Sequence, residues 1–478
     1  MSRLLLLPFV FLCWQTTFSQ QNVILIIADD VGIDYFGFYE NHHDTASFPN
    51  LRRLISNGVV FDNATSNPLC SPTRAGILTG RFGFRTGILD VVTGTSSASL
   101  DTSEMVIPKI LKASNSSFKT ANIGKWHLNT QVPASNLLIP NLIGYDHYAG
   151  NFLGAISSYT NWSKVTNGIS STSTTYATTE TTNDAISWIS SVQNNPFFLW
   201  LAYNAPHSPF HLPPSDLHSY SNLSGTTADI NANPKEYFKA SLEALDHEIG
   251  RLLDSLVLYN LFDNTNIIFI GDNGNSLRTS QIDDTTKTKG TVYQNGVHIP
   301  FLISGPAVVN PNRHSDELVN TVDLFSTILE LSGVSNWGSF ITSDTLIDSK
   351  SLFPILQNQS IEVRPWAFTE LFFQTTNDYR RGIRNKNYKL IYNSGSVLNS
   401  FEFYDLSNDP WETTDLLLGS LNEIEGENYS FLCSELFTLI EQTSNCTEFN
   451  NIDENDSDFL FIENPIGNKI ENPAPNFT

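Results

Sequence analysis

The sequence predicts an α/β protein: a large mixed, mostly parallel central sheet with helices on both faces, then a smaller domain with a short antiparallel sheet. Three observations predict it. Unbroken aliphatic or aromatic runs, Asn22-Val23-Ile24-Leu25-Ile26-Ile27-Ala28, 197–202 and 266–270, lack the alternation of a one-sided strand and read as strands covered on both faces. Between them lies a long amphipathic stretch, 237–256, with Leu242, Leu245, Ile249, Leu252, Leu253 and Leu256 on one helical face. Near position 360 the pattern shortens to strand-like runs at 367–373, 381–384, 388–392 and 402–406. The domain expectation is therefore a leader at 1–20, a main domain at 21–360 and a smaller one at 361–478.

Composition narrows the function. The chain has 478 residues, 40% hydrophobic and 16% charged, with a formal charge of -23. That charge excludes the basic footprint of a nucleic-acid binder. Arg3, the apolar run 4–12 and the small residues Thr17 and Ser19 read as a signal peptide. The run is shorter than the roughly 20 residues of a membrane span, and no later stretch qualifies. Export to a periplasmic or extracellular location follows. It also suits the cysteines: Cys13 leaves with the leader, and Cys433 and Cys446 remain as a candidate disulfide.

In chain order, the first strand runs into Asp29 and Asp30, at the strand end where open α/β sheets place their sites. Two adjacent carboxylates repel unless they share a hard cation, Ca²⁺ or Mg²⁺; taken alone they read first as a solvated acidic loop. A helix and strand over 49–60 deliver the chain to Cys70-Ser71-Pro72-Thr73-Arg74. Ser71 and Pro72 start a helix there and Gly80 can end it. Cys70 then lies at a helix N-terminus suited to an anion, with Arg74 one turn on. A Cys beside Pro also fits a buried small hydrophobe. After a helix at 105–111, Lys125 and His127 alternate with Trp126 and Leu128, which in an extended segment places both polar groups on one face.

Residues 151–183, rich in Ser, Thr and Asn, read as an irregular or weakly paired surface segment. In Ala205-Pro206-His207-Ser208-Pro209, flanking prolines hold His207 in a stiff loop past a strand end; His211 reads as a rim residue. The strand at 266–270 ends in Gly271-Asp272-Asn273-Gly274, where a carboxylate and an amide oxygen could complete an all-oxygen cation site, or simply form a turn. Lys289 follows, with Lys287 as its competitor, and 320–331 reads as a helix. Beyond position 400 Lys469 is the one basic residue, and the acidic tail reads as a solvated surface.

These strings resemble, in order, the motifs of the type I, formylglycine-dependent sulfatases of the alkaline phosphatase superfamily: Asp29-Asp30, Cys70-x-Pro72-x-Arg74 with Thr79-Gly80, Gly124-Lys125-Trp126-His127-Leu128, Ala205-Pro206-His207-x-Pro209 and Asp272-Asn273-Gly274. Shorter likenesses occur around Lys289, Val322-Asp323-Leu324 and Tyr404-Asp405-Leu406, so the resemblance covers roughly 22–415. Around Lys289 the chain departs from the pattern at Gln294, Asn295 and His298.

The resemblance implies that Cys70 becomes formylglycine (3-oxoalanine), through a formylglycine-generating enzyme. It implies Ca²⁺ rather than Mg²⁺, held by Asp29, Asp30, Asp272, Asn273 and the modified Cys70. Lys125, Lys289 and His207 would neutralise sulfate, Arg74 orient the hydrated aldehyde, His127 take its proton, and His207 or Lys289 protonate the leaving alcohol. The implied substrate is a sulfated poly- or oligosaccharide, with His147, His211, Tyr379, Arg380 and Arg381 as pocket candidates. Two other readings share the frame: a phosphonate or phosphodiester hydrolase, and a non-catalytic glycan-binding relative.

Overall fold

The aliphatic run after position 21 forms β1 (Asn22–Ala28), and its neighbours explain why it lacks alternation. Val23, Leu25 and Ile27 face one hydrophobic core while Ile24, Ile26 and Ala28 face a second. The other strands of this sheet are β2 (Gly58–Thr65), β3 (Lys119–Gly124), β4 (His147–Gly150), β5 (Trp162–Thr166), β6 (Ile169–Ser173), β7 (Phe197–Ala202), β8 (Thr265–Gly271), β9 (Phe301–Ser304) and β10 (Arg313–Asn320). They form a 10-stranded sheet in the order β10-β2-β9-β8-β1-β7-β3-β4-β5-β6. β9 and β5 run against the rest, so the sheet is mixed and mostly parallel, as expected.

The computed structural model describes residues 21–39, 44–94, 98–282, 284–359, 361–395 and 399–442. The expected leader, Cys13, Cys446 and hence the Cys433–Cys446 pairing, and the tail beyond 442 lie outside the described residues. No helix among the described residues is long and apolar enough to cross a membrane.

Helices cover both faces. Cys70–Thr79, Ile107–Ser114 and Leu324–Leu331 supply one core; Pro49–Ser56, Ala177–Val192 and Pro234–Leu258 supply the other. In Pro234–Leu258 the expected stripe, Leu242 to Leu256, is buried, and each such leucine contributes about 1.5–3 kcal/mol. The segment 151–183 keeps to expectation in the exposed strand 169–173 and departs from it at its helical end. It contains the β5–β6 hairpin at the sheet edge and the first turns of Ala177–Val192, whose Thr178, Thr181, Thr182 and Ala185 are buried.

The late strands are β11 (Ala367–Phe373), β12 (Asp378–Arg384), β13 (Tyr388–Ser394) and β14 (Ser400–Asp405), an antiparallel sheet in sequence order. Leu371, Ile391 and Tyr404 of this sheet pack with Leu69 and Val292, close in sequence to Cys70 and Lys289. The chain divides into two compact units, through Ser420 and from Leu421, so both sheets belong to the first. The change of pattern at 360 marks the passage from one sheet to the next within that unit.

Candidate active site

Four neighbouring strands, β8-β1-β7-β3, end at one edge of the large sheet, and each leads directly into candidate residues. β1 and β8 are in register at Ala28 and Gly271, so Asp29-Asp30 and Asp272-Asn273 emerge side by side. β7 and β3 are in register at Ala202 and Gly124, and lead to the His207 loop and to Lys125-Trp126-His127. Parallel neighbours lie about 4.8 Å apart, so polar groups distant in sequence become contacts. Gly124 is required at this junction: φ is 101°, and a Cβ there would lie 1.8 Å from the Ala202 carbonyl oxygen.

Cys70 enters from a fifth direction, as the first residue of the buried helix Cys70–Thr79. The helix begins one residue before the expected Ser71 and ends, as expected, at Gly80 with φ 71°. Cys70 Sγ lies 3.2 Å from His127 Nδ1. Ser71 Oγ donates to the His127 carbonyl (2.8 Å) and accepts from Val92 N (3.0 Å), tying the helix start to the β3 loop. The expected alternation of Lys125 and His127 does not hold. β3 stops at Gly124 and His127 takes a left-handed φ of 58°, its N–H donating to Phe152 O (3.1 Å).

The buried carboxylates of these strand ends are each paired with a cation. Lys125 Nζ donates to Asp29 Oδ1 (2.8 Å) and Oδ2 (2.6 Å). Arg74 donates from Nε (3.0 Å) and Nη2 (2.7 Å) to Asp272 Oδ2 and from Nη1 to the Lys125 carbonyl (3.1 Å). Lys289 Nζ contacts Asp30 Oδ1 at 2.5 Å and His207 Nε2 lies 3.5 Å from Asp30 Oδ2. Lys287 instead bonds the Glu412 carbonyl and lies over the Tyr293 ring, which decides between the two lysines. His207 Nδ1 donates to Ser208 O (2.7 Å), so Nε2 faces Asp30. The Tyr159 hydroxyl, between the Asn204 and His207 carbonyls (2.7 and 2.8 Å), pins this loop. His211 supports it from behind, stacked on Tyr159 with centroids 3.8 Å apart and accepting from the Tyr176 hydroxyl (3.0 Å).

Three carboxylates, two lysines and an arginine crowd one buried centre. Burial raises the Asp29 carboxyl, Lys125 opposes this, and Asp272 and Asp30 add to it. Burial also works against the Asp30 and Asp272 carboxylates, but Lys289 and Arg74 respectively hold them below the usual range. Burial and nearby Lys125 and Arg74 push His127 well down. One oxygen each from Asp29 and Asp272 and the Cys70 sulfur lie within 4.8 Å of one another. Asn273 Nδ2 donates to Asp30 Oδ1 (3.0 Å), while Asn273 Oδ1 is buried without a partner.

Ten expected residues thus meet: Asp29, Asp30, Cys70, Arg74, Lys125, His127, His207, Asp272, Asn273 and Lys289. Among the described residues, no hydrogen bond or ion pair joins His147, Tyr379, Arg380 or Arg381 to them. His147 contacts Asn167 (3.3 Å), and Arg381 lies over the Tyr379 ring (4.1 Å) and 3.7 Å from Glu370. Asp34 and Asn275 belong to no motif. Their one signal is proximity: each is a polar residue a few positions past an acidic strand end, and each is buried.

Comparisons with known proteins concern the family and the fold. Residues 287–427 match the family model "N-sulphoglucosamine sulphohydrolase, C-terminal". Mouse arylsulfatase J is 27% identical over 336 residues, covering 66% of this chain and 53% of that protein. Human N-acetylgalactosamine-6-sulfatase is 27% identical over 377 residues, covering 72% and 67%. The chain therefore spans about half the length of the first of these relatives and two thirds of the second. In fold it is similar to Ps i-CgsB, with a TM-score of 0.72, 24% identity and coverage of 88% and 93%. It is also similar to the PsFucS1 sulfatase from Pseudoalteromonas sp., with a TM-score of 0.68, 18% identity and coverage of 90% and 92%. Residues 21–334 match the Sulfatase family model, and the chain belongs to the sulfatase family.

Proposed function

We propose that this protein hydrolyses sulfate esters, using a formylglycine derived from Cys70 beside a Ca²⁺ held by Asp29, Asp30, Asp272 and Asn273. The observation that carries the reading is the convergence of Cys70 with oxygens of Asp29 and Asp272 inside 4.8 Å. The residues fit the ion. Three carboxylates and an amide are hard oxygen donors suited to Ca²⁺, and the buried Asn273 Oδ1 lacks any other partner. Bound there, Ca²⁺ would polarise a sulfate oxygen and lower the pKa of the attacking hydroxyl.

The modification supplies what serine could not: an ordinary hydroxyl that attacked would be left esterified, whereas a hydrated aldehyde has a second hydroxyl whose deprotonation expels sulfate. His127 is the base within reach, its Nδ1 3.2 Å from the atom at position 70. Arg74 fixes Asp272 and lies one helical turn from the nucleophile. Lys125 and Lys289 would offer positive charge to the sulfate oxygens, and Lys289 or His207, both against Asp30, would protonate the leaving alcohol.

A sulfated poly- or oligosaccharide is the substrate class that the relatives support. Ps i-CgsB is known in complex with k-i-k-neocarrahexaose, and the human relative is named for N-acetylgalactosamine 6-sulfate. The apolar leader supports export, and maturation would require a formylglycine-generating enzyme.

The test pairs mass spectrometry of the tryptic peptide ending at Arg74 with turnover of 4-nitrophenyl sulfate and bis(4-nitrophenyl) phosphate. The reading predicts an aldehyde at position 70 and preference for the sulfate. Preference for the phosphodiester would make this a phosphodiesterase on the same frame, and an unmodified thiol in mature protein would leave a glycan-binding relative.

A further inference from the structure

Asp30 is the only residue of the acidic pair in a left-handed conformation, with φ 63°. A non-glycine residue there costs about 1 kcal/mol and persists only where its surroundings enforce it. Two contacts with the loop after β8 enforce it. Asp30 N donates to Asp272 Oδ1 (3.0 Å), and two residues on Gly32 N donates to Asn275 Oδ1 (3.0 Å). The Asn275 amide nitrogen donates to Asp34 Oδ1, whose other carboxylate oxygen accepts from Gln281 N (3.1 Å). The main-chain carbonyl of Asn275 accepts from Lys289 N (2.9 Å). Asn275 and Asp34 are 0% and 1% exposed, so no water replaces these bonds.

We propose that Asn275, oriented by Asp34, is a positioning residue that locks the Asp29-Asp30 turn, the Asp272-Asn273 loop and the Lys289 loop into one register, and that Ca²⁺ affinity depends on this lock. The inference rests on the metal reading given above. Its logic is that of outer groups that orient ligands: the amide of Asn275 satisfies a donor and an acceptor at once, which neither alanine nor aspartate can do. An aspartate at 275 would set its carboxylate against that of Asp34 and lose the donated hydrogen bond. Exchanging the two residues restores every bond. Asp at 275 accepts from Gly32 N and from the amide of Asn at 34, and that Asn still accepts from Gln281 N.

The experiment measures the Ca²⁺ dissociation constant by titration calorimetry for wild type, N275A, N275D, D34N and the exchange D34N/N275D. Melting temperatures of the metal-free proteins are recorded alongside. The expected result is affinity weaker by about tenfold or more in N275A and N275D, with the exchange within about threefold of wild type. Aspartate and asparagine have the same size, so the comparison of N275D with the exchange stands even where N275A does not fold. A purely structural role would lower the metal-free melting temperatures and leave affinity unchanged. Wild-type binding with equal affinity in N275D overturns this inference alone. Wild-type protein that binds no Ca²⁺ overturns the metal reading and this inference with it.

Discussion

Gly154→Ala should cripple turnover although Gly154 is not itself one of the proposed catalytic or metal-holding residues. Gly154 lies against the His127 ring: a Cβ there would be 2.5 Å from both Cε1 and Nε2 and 3.1 Å from Nδ1. Ordinary contact begins near 3.4 Å, so the ring must withdraw by about 1 Å. His127 Nδ1 is 3.2 Å from the atom at position 70, and His127 already occupies a left-handed φ of 58° with its main chain tied at both ends. The displacement therefore falls on the ring. A misplacement of about 1 Å in a proton-transfer pair costs on the order of 10²-fold in rate, about 2.7 kcal/mol of barrier. Steady-state kinetics on 4-nitrophenyl sulfate should show kcat reduced by that order with KM little changed. Adding Gly154→Ala to His127→Ala should cause no further loss, because the ring it displaces is gone. A kcat within about threefold of wild type, or a full additional loss in the double variant, would refute the role given to His127.

Other consequences can be read away from the catalytic groups. Burial pushes the Glu370 carboxyl up to about 7, with Arg381 at 3.7 Å and the Phe84 amide opposing. Its ordinary value is 4.5, so the folded state keeps a proton that the unfolded chain has lost. That contribution is complete below about pH 4.5 and fades as pH rises through about 7; urea unfolding of wild type and Glu370→Gln at about pH 5 and pH 8 should differ in pH dependence by about 2.5 kcal/mol. Lys389 Nζ and Glu412 Oε1 form a 2.7 Å pair with both side chains 1% exposed, so Lys389→Met should cost about 3–5 kcal/mol. Adding Glu412→Gln should recover part of that loss in the same unfolding assay, since Gln can still accept from the Gln294 amide. Gly124→Ala, with its Cβ 1.8 Å from the Ala202 oxygen, should yield little soluble protein or a thermal midpoint lowered by several degrees, detectable by calorimetry.

What could be read from the chain follows from how locally each feature is encoded. β1 and the core of β8 are apolar runs, and a residue at the end of such a run belongs to the sheet edge whatever else folds around it, so the strand-end placement of Asp29, Asp30, Asp272 and Asn273 is legible. The pairing of Lys125 with Asp29 and of Arg74 with Asp272 joins residues 96 and 198 apart, and sequence spacing is silent about such partners. The motif singles out His127, but alternation misplaces its ring. Alternation presumed an extended backbone, whereas a left-handed turn brings the ring to Cys70. The Thr-rich start of Ala177–Val192 looked like surface because threonine is a weak helix former. Packing won: Thr181 and Thr182 bond back to carbonyls four residues earlier, and Thr179 Oγ1 reaches Glu248. Asn275 and Asp34 carry no periodicity and match no motif, and their importance lies wholly in what they touch.

The account depends on strand ends far apart in sequence sharing one ion next to position 70. Titration calorimetry of the mature protein with Ca²⁺, run beside Asp272→Ala, tests that most directly. One ion should bind per wild-type chain, with no measurable binding in the variant. Binding that survives loss of Asp272, or none in either protein, would contradict it.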